Sequence, residues 1–211
     1  MTEPPVPPHY IIPKERVSTL IDAIYAFSMT LLVISVDIPS KYDYKVAKEP
    51  VHSILASVLP DLLHFFIAFI LLAILWYFEH QRFRYLRHLD RPLLILNMAS
   101  LAFVCLVPFS TNVAGDFPFD YLGAILFELN IFILGMIALV QWIHIRKERE
   151  CLVPSLSTPQ IMREILWSMV FPVLSVTGIL LAIVGTSWSL GIYALAPIII
   201  VYLFWKDPIE G

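Results

Sequence analysis

A carboxylate stands inside an apolar run long enough to cross a bilayer: Asp22, roughly a turn and a half from the basic end of residues 16–39. Unbonded at that depth, it costs roughly 2 to 3 kcal/mol, so donors are required nearby. Counted by the rise of a helix, Trp76 and His80 lie at the same depth on one face of a second apolar segment, and Asn97 lies about five residues into a third. Their indole N–H, imidazole N–H and amide are the groups a carboxylate accepts from. The spacing predicts an inner-leaflet polar network of Asp22, Trp76, His80 and Asn97 that docks the first segment on the second and third, with Arg16 at its mouth. The competing reading leaves each side chain in the headgroup region, where Trp and His often sit at span ends.

Glu128 and Asn130 fall near the middle of a later apolar segment. An ionisable residue there is either functional or a protonated acid bonded to a neighbouring helix, and both readings stay open. His64 and His80 are separated by sixteen positions, about 24 Å along a helix, which excludes a shared metal. No HExxH, paired CxxC, GxSxG or P-loop occurs. No catalytic residue, cofactor or resident metal site emerges, and an enzyme is hard to assemble from these parts.

The elements that must position these groups follow from composition. Of 211 residues 59% are hydrophobic and 15% charged, with a mean hydropathy of +0.79, against about a quarter charged in soluble domains. An all-α integral membrane protein is expected. There is no basic stripe, so nucleic acid is not an expected partner. Cys105 and Cys151 are too few and too differently placed for a disulfide framework. Residues 1–15 form a Pro-rich tail, and 16–211 read as one membrane domain of six spans. The first covers about residues 17 to 38, the second contains Pro60, and Pro92 starts the third. The fourth exits into RKERE, the fifth covers about residues 161 to 184, and the sixth is LGIYALAPIIIVYLFW. Eleven of the fourteen Lys and Arg fall in the tail, around 82–91, in 146–163 and at Lys206, leaving Lys41, Lys45 and Lys48 on the other side. By the positive-inside rule both termini are cytoplasmic. No repeat of the first-span pattern appears in the second half, so a pore would need several copies of the chain.

In the first span Ile24, Phe27, Leu31, Ile34 and Ile38 share one helical face, with Thr30 at its border. Such a stripe can face lipid, another helix or a narrow pore. Here the sequence resembles the bacterial relatives of transmembrane protein 175, a potassium-channel family. Arg16, Asp22, Thr30, Leu31, Leu32, Asp37 and Pro39 match its first-span motif; Trp76 and His80 match its W-x-x-x-H; Asp90, Asn97, Leu101 and Pro108-Phe109 match its third-span pattern. Two departures are visible: Leu20-Ile21 stands for the motif's Phe-Ser, and Phe27 for the usual Ile or Leu of the narrowest layer.

The resemblance implies a homotetramer of six-span subunits in the cell membrane, with the first helix lining a central pore. It further implies a gate of hydrophobic rings at Phe27, Leu31 and Ile34, modest selectivity associated with Thr30, and K+ as the permeating ion. Two rivals are a proton-coupled carrier of a small solute using Asp22, His80 and Glu128, and a haem protein drawing on His64, His80 and His144.

Overall fold

The computed structural model describes residues 13–36, 50–117, 120–184 and positions 192, 193 and 195. The tail of residues 1–12, the loop 37–49 and nearly all of the expected sixth span lie outside the described residues. Those residues form helices joined by short turns, with no strand among them: α1 (Lys14–Leu31) continued by a 3-10 turn (Leu32–Ser35), α2 (Val51–Tyr85), α3 (Arg91–Asp116), α4 (Tyr121–Lys147), a single turn α5 (Arg149–Leu152), α6 (Thr158–Ser168) and α7 (Val170–Ile183). Among the described residues, five stretches are long and apolar enough to cross a membrane, α6 and α7 counting as one. The chain is membrane-embedded.

Local chemistry sets the helix starts. Asp90 caps α3, accepting from Leu93 N at 3.0 Å with Pro92 in the first turn, and Asp120 caps α4, accepting from Leu122 N at 2.9 Å. A capping box of Ser157 and Gln160 opens α6. The expected fifth span is interrupted at Met169: Pro172 offers no N–H to the Ser168 carbonyl and crowds it, so the helix breaks there. Pro60 and Pro108, by contrast, lie inside continuous helices. Arg82, counted above as a loop residue, is a buried residue of α2, whose end runs on to Tyr85.

The starts of α1, α3 and α6 meet the ends of α2 and α4 at one Arg-rich end. There the Lys14 ammonium donates to the Leu86 carbonyl at 2.6 Å, and Arg87 N donates to the Leu152 carbonyl at 2.7 Å. His144 near the end of α4 meets Asp90 at 2.6 Å. Val17, Ile21, Tyr25 and Leu32 of α1 pack into a continuous core with Leu71, Leu75, Val104, Ile131 and Leu134. In lipid there is little hydrophobic gain between helices, so close approach and buried polar bonds carry the stability. Gly135 permits one such approach, since a side chain there would meet the Pro172 ring.

Candidate functional site: the first helix and the polar bonds behind it

α1 has two unlike faces. Val17, Ile21, Tyr25, Ser28 and Leu32, at spacings of three and four, are buried against the core. Opposite them Leu20, Ala23, Phe27, Thr30 and Ile34 form an exposed stripe with the same spacing; Phe27 is 62% and Ile34 70% exposed. Leu31, half-buried, lies beside Phe27 and Ile34 on that face. The Thr30 hydroxyl donates to the Phe27 carbonyl at 2.7 Å. Its proton is thus engaged within the helix, and the oxygen's remaining lone pair is free to accept.

Asp22 sits at the edge of the buried face. Trp76 Nε1 donates to its Oδ1 at 2.8 Å, joining α1 to α2, and the His80 ring lies against Trp76 with centroids 5.4 Å apart. Asn97 belongs to a different cluster. Its amide donates to the Leu93 carbonyl at 2.8 Å, and its Oδ1 accepts from Gln141 Nε2 at 3.1 Å. Gln141 Oε1 in turn accepts from Arg82 Nη1, and Arg82 Nη2 pairs with Glu79 at 2.6 Å. All four side chains are buried. The single network expected from depth is therefore two, because Asn97 points toward α4 and not toward α1. Arg16 is exposed on α1.

Glu128 is fully buried in α4 and accepts from the Tyr193 hydroxyl, which also meets Ser175 at 2.9 Å. The absent side chain of Gly178 in α7 makes room for this carboxylate. Asn130 donates to Ser110 at 3.3 Å, and His64 lies beside Gly115 near the far end of α3. Among the described residues no group of three or more His, Cys, Asp or Glu could hold a metal ion.

The helical arrangement superimposes on the crystal structure of a lysosomal potassium-selective channel TMEM175 homolog from Chamaesiphon minutus with a TM-score of 0.76, covering 90% of this chain and 96% of that one at 19% identity. The model of the family described as endosomal/lysosomal potassium channel TMEM175 matches residues 16–108, which hold α1, α2 and the first two-thirds of α3. Over those residues the chain is similar to the TMEM175 family. The bovine endosomal/lysosomal proton channel TMEM175 is 31% identical over 136 residues, 61% of this chain but 28% of that protein, so this chain matches little more than a quarter of its relative's length. A potassium channel of Streptomyces collinus is 23% identical over 150 residues, covering 68% of this chain and 70% of that one. These TMEM175 relatives are ion channels, not enzymes.

In this chain, sequence reasoning missed Glu79, Arg82 and Gln141. Arg82 was masked by its neighbours Arg84, Arg87 and Arg91, which made it look like part of a solvated basic loop. The available signal was the i, i+3 pairing of Glu79 with Arg82 on an otherwise apolar helix.

Proposed function

We propose that this chain assembles as a homotetramer in the cell membrane, both termini cytoplasmic, and conducts potassium passively through a central pore lined by α1. The observation that carries the proposal is the exposed stripe Leu20, Ala23, Phe27, Thr30 and Ile34 on a helix whose other face is buried. Four such stripes around one axis give apolar rings at Phe27, Leu31 and Ile34. Rings of this kind dewet when narrow and block ions that would lose hydration without replacement ligands. Thr30, with its proton tied to Phe27 O, turns an acceptor oxygen toward the axis and is the residue assigned to selectivity. The family match and the potassium channel of S. collinus support K+ as the ion. The Asp22–Trp76 bond is assigned the task of fixing the azimuth of α1, with His80 stacked behind it and Arg16 at the cytoplasmic mouth.

A second reading takes the proton as the conducted ion, favoured by the description of the bovine relative and by the buried mid-span Glu128. Liposomes containing only this protein separate the two. Potassium flux exceeding sodium and caesium flux under equal gradients supports the first reading, and lumenal acidification without potassium movement supports the second. Flux that appears only when a small solute is supplied would instead favour a coupled carrier.

A further inference from the structure

Behind α1, on the side away from the exposed stripe, lies a partly open chamber of about 30 Å³ bordered by α1, α2, α3, α4 and the α6–α7 pair. Its wall is mostly apolar, but Tyr25, Glu79, Arg82, Ser100 and Glu164 all border it. Tyr25 and Ser100 are buried and place hydroxyl groups at this wall. Beside them Glu79 Oε2 and Arg82 Nε, also buried, have no partner among the described residues. Two unmatched polar groups, one on a carboxylate and one on a guanidinium, beside one small space are a costly arrangement for a protein interior.

We propose that this chamber is a water site. A cavity needs about 10–15 Å³ by this measure to hold one water, together with two to four polar partners, so the space accommodates one or two molecules and the wall supplies enough partners. Water accepts from the Tyr25 and Ser100 hydroxyls and donates toward the carboxylates of Glu79 and Glu164. A small shift of Glu79 or Arg82 brings their unmatched atoms into the same cluster. The site links Tyr25 of α1 to α2, α3 and α6 through exchangeable bonds instead of dry contact. This assignment does not depend on which ion the protein conducts.

Hydroxyl-radical footprinting by X-ray radiolysis, read by mass spectrometry on the native protein in lipid nanodiscs, tests it, because bound water generates radicals beside buried side chains. Phe171, 3% exposed, borders the chamber, whereas Phe127 at 1% and Phe83 at 5% do not. Phe171 is expected to be labelled several-fold faster than either, and Tyr25 several-fold faster than the equally buried Tyr193. Ala138→Leu, which fills the chamber, is expected to return Phe171 and Tyr25 to the slow rate while leaving exposed Phe109 unchanged. Leu134→Phe serves as a second filling variant if the first does not fold. Equal labelling of Phe171, Phe127 and Phe83 in the native protein overturns the proposal. So does fast labelling that persists in a folded filling variant, since it would then come from opening to bulk solvent.

Discussion

Arg82→Met leaves the Glu79 carboxylate buried without its cation. The pair is separated by 2.6 Å with both side chains almost fully enclosed, so the relevant cost is that of an uncompensated buried charge, about 3 to 5 kcal/mol. Gln141 also loses the donor on its Oε1, adding about 1 kcal/mol. At roughly 2 to 4 °C per kcal/mol for a chain of this size, the melting temperature should fall by on the order of 10 °C. Glu79→Gln combined with Arg82→Met removes both charges and keeps the volume. It should recover more than half of that loss, because replacing a buried pair by neutral side chains is often close to neutral. The assay is thermal unfolding of wild type, single and double variants in one detergent, followed by loss of the monodisperse peak on size exclusion. If the single and double variants melt together, Glu79 is not held as a charge by Arg82, and the buried-pair reasoning fails.

Phe27→Ala should widen the apolar ring, increase cation flux through liposomes and weaken potassium-over-sodium discrimination; unchanged rate and selectivity would place Phe27 against lipid or another helix. Trp76→Phe, which deletes the donor to Asp22 at 2.8 Å, should cost roughly 1 to 2 kcal/mol and reduce the yield of oligomer on cross-linking, with Asp22→Ala behaving similarly. An oligomer yield equal to wild type in both variants would show that this bond does not orient α1. Gly178→Ala would drive a methyl into the Glu128 carboxylate and should cost roughly 1 to 3 kcal/mol, part of which Glu128→Ala in the same chain restores. Thermal melts of the two chains decide it, and equal losses would mean that α7 moves aside instead.

Depth was legible in the sequence, and rotation was not. Helical rise is fixed, so counting residues from the span ends brought Trp76 level with Asp22, and the two are bonded. The same count brought Asn97 level with them, yet its amide faces Gln141, because the azimuth of a side chain depends on how α3 packs against α4. Pro92 marked the start of α3 clearly, while the break at Met169 needed the position of α4: Pro172 is accommodated there against Gly135. Arg82 escaped because charge counting treats every arginine near a span end as solvated. Glu128 was visible as an oddity in α4, but its partners Tyr193 and Ser175 lie on segments whose approach to it no spacing rule specifies.

Two of the bonds that tie the Arg-rich end together, Lys14 to Leu86 and Arg87 to Leu152, both end on backbone oxygens. Every amino acid supplies that acceptor, and the Arg87 donor is backbone as well. The fastening is therefore nearly invisible to comparison by residue type: Leu86 and Leu152 can be exchanged for other apolar residues that fill their buried sites without touching the bonds. Of these two bonds, only the first writes a side chain, Lys14, into the genetic message as a chemical requirement. A relative lacking an amine at that one position would keep the second fastening and lose the first, so the start of its first helix would be free to settle differently while its alignment to this chain stayed almost unchanged.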